Sequence, residues 1–298
     1  MQSASSGIFP MLYAFFREDG RLNERAIRLQ VQAAMAHGAH GLAALGLGTE
    51  VGKLSAKERI DLLGWASDEL GGQLPLVVTI VEPDVPTAIA AVERARSAGA
   101  SWVILQPPPG AVLDERQQIA FYGTVADNVG LPVAIQNAPE YLPTSLELDG
   151  ILRLNEAHPN VRMIKAEGSA LYVHQLIQAA AGGQLAVFNG RGGLELTDNL
   201  RAGCAGVIPG MDSFDVQARI FSLMQTGDTE EAERVYRSLL PLIVFIMQNL
   251  STFICYGKRV AARRLGLGPV YDRQPALPPD PFGLAIADRL SADLPPYF

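Results

Sequence analysis

Lysine is scarce in this chain: of 24 basic residues only four are lysine, and cysteine and histidine contribute only two and four. Each shortage excludes something. Cys204 and Cys255 are too few for a disulfide framework, and the histidines join no cysteine or carboxylate cluster, so no metal site and no cofactor is expected. His37 and His40 flank a Gly-Ala turn and read as structural. A net charge of -7 without any basic cluster argues against nucleic acid as a partner and for a small metabolite. Residues 1–7 carry no charged segment ahead of the first apolar run, so no signal peptide is read and a cytoplasmic protein is expected. One long uncharged run occurs, residues 238–257. Its Pro241, Gln248, Asn249, Ser251 and Thr252, and the charged helical stretch 229–237 before it, favour a buried or subunit-facing helix over a membrane span.

What is present is a core-forming chain, with 48% hydrophobic and 18% charged residues in 298. Eight short apolar runs rich in β-formers, residues 8–16, 41–46, 76–81, 102–106, 132–137, 161–165, 185–189 and 206–209, alternate with amphipathic helical stretches such as 24–36, 56–70, 86–97 and 169–181. Eight βα units close most naturally into a (β/α)8 barrel, an α/β fold, here over residues 7–225. No Gly-x-Gly-x-x-Gly turn follows the first run, which sets aside an open dinucleotide-binding sheet. Residues 226–298 become purely helical before a proline-rich tail and read as a C-terminal helical appendage.

In such barrels the chemistry lies at the C-terminal ends of the strands, which would turn Glu50, Asn137, Lys165, Asn189 and Arg191 toward one mouth. Lys165 is the informative one, because it ends the apolar run Val161-Arg162-Met163-Ile164-Lys165. A lysine at the edge of a core is poorly solvated, which favours the neutral amine that attacks carbonyls. A lysine that only snorkels to solvent is the alternative.

Gly46-Leu47-Gly48-Thr49-Glu50 with Leu54-Ser55-Ala56-Lys57-Glu58-Arg59, then Gln136-Asn137-Ala138-Pro139, then Ile164-Lys165-Ala166-Glu167-Gly168, together with Gly257-Lys258, resembles the dihydrodipicolinate synthase and N-acetylneuraminate lyase family of class I aldolases across nearly the whole chain. The resemblance implies that Lys165 forms a Schiff base with a 2-oxo acid, that the loop at Gly48 and Thr49 binds the substrate carboxylate through N–H groups and the Thr49 hydroxyl, and that the protein is a homotetramer. Three departures bear on the chemistry. Leu47 and Thr49 alter the family's Gly-Thr-Thr-Gly-Glu, Gln136 stands where the family has its proton-carrying tyrosine, and Pro107-Pro108-Pro109 replaces a Pro-Tyr-Tyr motif. Gln136-Asn137-Ala138-Pro139 and the Lys-x-Glu context are similar to the branch of 2-keto-3-deoxy-L-arabonate dehydratases.

Catalysis is therefore expected at Lys165, Gln136 and Glu167, and substrate binding at Gly48, Thr49, Glu50, Asn137, Asn189, Arg191 and Gly210. Several roles stay open. Glu167 carries the proton, caps the next helix or pairs with Arg191. Glu50 binds a distal hydroxyl or caps the helix near Ser55, with the structural role favoured. Ser55 and Glu58 fit a capping box. Gln136 is read as a substrate contact and Asn137 as loop support. Arg191 grips a distal group or lies on the surface, and Gly210 leaves space near the lysine. Dehydration of a 2-oxo-3-deoxy sugar acid ranks first, a pyruvate-dependent aldolase or synthase second, and a non-catalytic 2-oxo acid binder third.

Overall fold

The computed structural model describes residues 6–298 apart from residues 182 and 184, so most of the N-terminal stretch read for a leader, residues 1–5, lies outside the described part. Eight strands form one sheet: β1 (Gly7–Ile8), β2 (Leu42–Ala44), β3 (Leu76–Ile80), β4 (Ala100–Leu105), β5 (Val133–Asn137), β6 (Val161–Ala166), β7 (Ala186–Asn189) and β8 (Gly206–Val207). All neighbours pair in parallel, in the order β1-β8-β7-β6-β5-β4-β3-β2. The sheet closes through Met11, which bridges both Ala43 and Gly210. Met11 N–H donates to Pro209 at 2.7 Å and Ala43 N–H to Pro10 at 2.9 Å, so the two edges satisfy each other. The result is a (β/α)8 TIM barrel. The first apolar run, expected to be a strand over residues 8–16, is a strand only at its start. Pro10 has no N–H for a ladder, and Phe16 bridges Leu22 and Tyr271 instead.

The helices between strands are α1 (Glu24–Ala36), α2 (Ala56–Leu70), α3 (Val85–Ser97), α4 (Glu115–Asp127), α5 (Leu148–Ala157), α6 (Ala170–Ala179), α7 (Leu196–Arg201) and α8 (Phe214–Gln225). Their starts are written in the sequence. Asn23, Asp84 and Ser169 cap α1, α3 and α6, while Ser55 and Glu58 form the expected reciprocal capping box on α2. After the barrel follow α9 (Thr229–Ile246), α10 (Leu250–Thr252), a π-helical turn Phe253–Gly257, α11 (Lys258–Arg264) and α12 (Pro281–Leu290).

The uncharged run 238–257 is not one helix. Its first part continues α9, whose Leu239, Leu242, Ile243 and Ile246 make a buried stripe at helical spacing against α8. The chain then breaks at residues 247–249, where Asn249 caps α10, and turns by 108°. Among the described residues no single helix is long and apolar enough to cross a membrane.

Alternation along the strands decides what fills the barrel. Trp102, Ile104, Ala134, Met163 and Phe188 point inward with Phe9, and the rings of Phe9, Trp102 and Phe188 meet edge-on or tilted at 5.4–5.9 Å between centroids. The same inward columns end in polar groups: Gln106 follows Ile104, Gln136 follows Ala134, and Lys165 follows Met163. The strand period of two thus carries an apolar plug upward into a polar floor at the C-terminal end of the barrel.

Candidate active site

Lys165 and Gln136 are register partners on β6 and β5. Glu167 stays on the inner face two residues after Lys165 because the chain is still extended there, and its Oε1 lies 3.1 Å from Lys165 Nζ. Glu167 Oε2 accepts from Gln136 Nε2 at 2.6 Å, and Gln136 Oε1 accepts from Gln106 Nε2 at 2.8 Å. A carboxylate only accepts, so it fixes the orientation of the first amide and, through it, the second. The chain Gln106–Gln136–Glu167–Lys165 is buried throughout. The expected alternatives for Glu167 do not occur: Ser169 caps α6, and Arg191 pairs with Glu195 at 3.0 Å and Glu140 at 3.7 Å.

Lys165, Glu167 and Arg191 line one cavity with Gly48, Leu47, Tyr141, Met11, Gly192, Ile208 and Pro209, and it is roofed by Met247, Leu250 and Phe253 from the C-terminal segment. Its free volume is about 40 Å³, room for a water or two. An outer hollow of about 410 Å³, lined by Glu140, Tyr141 and residues 247–251, lies directly outside it. A larger hollow, about 910 Å³, sits on the barrel flank between α2 and α3 and contains no amine or thiol.

Several expected binding residues are committed elsewhere. Thr49 donates its hydroxyl proton to Leu12 C=O at 2.6 Å, beneath the loop rather than into the cavity. Glu50 neither caps α2 nor faces the cavity. It adopts a left-handed backbone, φ 56°, and its buried carboxylate binds Lys258 and, at 2.5 Å, Lys53. Asn137 supports the loop before α5, exchanging hydrogen bonds with Leu146 and donating to the Tyr172 hydroxyl. Asn189 donates to Gly168 C=O and Asn199 and accepts from Gly190 N–H. Gln136 holds Glu167 from below and does not line the cavity. The space at Gly210 is taken by Tyr13, Asp212 and Phe253, not by the lysine. It is Gly190 that lies against the lysine, since a Cβ there would come within 3.0 Å of Lys165 Cε. His37 and His40 are structural as read, bonded to Tyr297 C=O and Ile8 N–H.

Within the Gly46–Glu50 turn, Thr49 N–H and Glu50 N–H bond back to Gly46 and Leu47, while the N–H groups of Leu47 and Gly48 have no partner among the described residues. Two adjacent unpartnered N–H groups in one turn are donors of the kind an anion takes. Tyr141, unremarked in the sequence, brings a phenol to a site whose expected tyrosines are absent. Burial, and then the charge of Glu167, raise its pKa above the usual phenol value, against the opposing pull of Arg191. No charge or apolar period marks Tyr141; only the turn that bonds its N–H to Ala138 C=O brings it over the mouth.

Comparison with known proteins agrees with this geometry. The Dihydrodipicolinate synthetase family matches residues 4–281. The chain is similar to a 4-hydroxy-tetrahydrodipicolinate synthase of Stenotrophomonas maltophilia, 30% identical with 97% of this chain and 96% of the relative covered. It is also similar to an L-2-keto-3-deoxyarabonate dehydratase of Azospirillum brasilense, 27% identical with 80% and 78% covered. Among solved structures, a prophage protein of the dihydrodipicolinic acid synthase family from E. coli K12, in complex with pyruvate, superimposes with a TM-score of 0.87 at 25% identity, over 97% and 98% of the two chains. The match covers the barrel, Lys165 and the segment roofing its cavity, and the chain belongs to the dihydrodipicolinate synthetase family of lyases.

Proposed function

We propose that the protein is a Schiff-base lyase that removes water from a 2-oxo-3-deoxy sugar acid. The observation that carries this reading is the fixed chain below the cavity. One amine faces the cavity, one carboxylate stands 3.1 Å from it, and the group that holds the carboxylate is an amide with no proton to exchange near neutral pH. In this reading the substrate carboxylate rests on the N–H groups of Leu47 and Gly48 while the Lys165 amine adds to C2, the C2 oxygen leaves as water, and the iminium forms. The iminium is the electron sink. Glu167 lifts a proton from C3 to give the enamine, and the enamine expels the C4 hydroxyl. Where the family's proton-carrying tyrosine stands, this chain has Gln136, an amide that cannot serve as the base that retro-aldol cleavage needs, and this favours dehydration. The likeness to an arabonate dehydratase supports the same choice.

Borohydride reduction in the presence of 2-keto-3-deoxy-L-arabonate, followed by peptide mass spectrometry, tests the reading. The expected product is an adduct on Lys165 that has lost one further water. An adduct of pyruvate mass would make the protein an aldolase. No adduct with any 2-oxo acid, from folded protein, would leave a binding protein.

A further inference from the structure

Dehydration requires two proton movements, one off C3 and one onto the departing C4 oxygen. Of the groups lining the cavity, Lys165 is consumed in the imine, Glu167 is held beside Lys165 by Gln136 at the C3 end, Arg191 is a permanent cation, and the rest apart from Tyr141 are glycines or apolar. We propose that Tyr141 is the catalytic acid that protonates the leaving C4 hydroxyl. The inference rests on the dehydratase reading above and adds to it a residue that neither the family motifs nor the sequence pattern singles out.

Position argues for this role. With C1 on the Leu47 and Gly48 N–H groups and C2 on Lys165, the rest of the substrate chain is placed toward the roof and the outer hollow. Tyr141 is shared by the inner cavity and the outer hollow, so it stands where C4 arrives and where released water departs. Arg191, fixed by Glu195 and Glu140, and the Glu167 carboxylate both act on the Tyr141 phenol, in opposite directions. Burial keeps the phenol protonated until a base stronger than water develops next to it, as the breaking C–O bond supplies. In the step itself, the enamine pair moves to form C3=C4 and restores the iminium. The C4–O bond breaks with its electrons on oxygen, the Tyr141 proton joins that oxygen, and water leaves. The phenolate is reprotonated from solvent through the outer hollow, and Glu167 releases to solvent the proton it took from C3, so both groups return to their starting states.

The test is Tyr141→Phe, assayed with the 4-hydroxy substrate and with its 4-fluoro analogue, whose leaving group needs no full proton. General acid catalysis sets the scale, so kcat for the hydroxy substrate is expected to fall about 100-fold. The loss with the fluoro analogue should stay within about tenfold, and KM within about threefold. Borohydride trapping of pyruvate on Lys165 should match wild type. Equal losses on both substrates, or none on either, would overturn the role of Tyr141 while leaving the lysine chemistry intact. If wild type fails to form the adduct or releases pyruvate, the underlying dehydratase reading falls instead.

Discussion

Two of the four lysines are buried, Lys165 and Lys258, and their surroundings differ in a way that separates reactivity from stability. Lys165 sits at the top of a strand with one carboxylate at 3.1 Å and an open side toward the cavity. Lys258 is fully enclosed. It binds Glu50, lies 3.4 Å from Asp272 and packs over the Phe16 ring at 5.5 Å. Its two anionic partners leave it nothing to attack and no route for a substrate. Glu50 is the last residue of the turn that holds the Leu47 and Gly48 N–H groups, and Lys258 follows the π-helical turn that carries Phe253, so this pair ties the first barrel loops to the roof. The over-partnered lysine ties the fold together, whereas the under-partnered one faces the cavity, as the proposed function requires.

Exchange of roles between the two lysines would break that contrast. Lys165→Ala is expected to lower turnover by at least about 10⁴-fold and remove the borohydride adduct, with circular dichroism showing the barrel intact. Lys258→Met should do the reverse. Removing one partner from a buried pair costs about 3–5 kcal/mol, visible as an earlier denaturant midpoint, while the folded fraction still forms the pyruvate adduct on Lys165. In the double variant Glu50→Gln/Lys258→Met the costs should sum to less than the two single losses, since both report one interaction; full additivity would deny that the pair acts as a unit.

A narrower cut comes from Glu167→Gln, which keeps the shape of the Gln106–Gln136–Glu167–Lys165 chain but removes the base. Turnover should fall about 100- to 1000-fold with the pyruvate adduct retained, and undiminished turnover would move the proton transfer to another group.

The smallest effect concerns a partly exposed pair on the surface. Arg273 binds Glu58 and holds its carboxyl down at about 2, against an ordinary value of 4.5. A depressed acid contributes stability that is complete above its unfolded value and disappears as pH falls through the folded one. Wild type should therefore out-melt Glu58→Gln at pH 6, and the gap should close between about pH 4.5 and 2. Glutamine keeps the capping box, so a gap unchanged at pH 2 would assign the effect to something other than the ion pair.

The sequence made much of this legible because local rules carry it. Strand and helix periods, caps at Asn23, Ser55, Asp84 and Ser169, and Lys165 at a strand end are properties of a few adjacent residues. Where reading failed, the deciding partner was far along the chain. Glu50 reads as a cap near α2 until Lys258, 208 residues away, takes its carboxylate. Gln136 reads as a substrate contact until Glu167 and Gln106 claim both ends of its amide. Gly210 makes room for Tyr13 and Phe253, which no local pattern announces.

The eightfold alternation of strands and helices, the caps and the place of Lys165 at a strand end were thus set by the sequence alone, because hydrophobic period and hydrogen-bonding side chains act over a few residues. Which polar side chains reach the cavity was decided only by closure of the barrel and docking of the C-terminal helices. A buried polar group takes whatever partner the fold brings within about 3 Å, and sequence distance says nothing about which one that is.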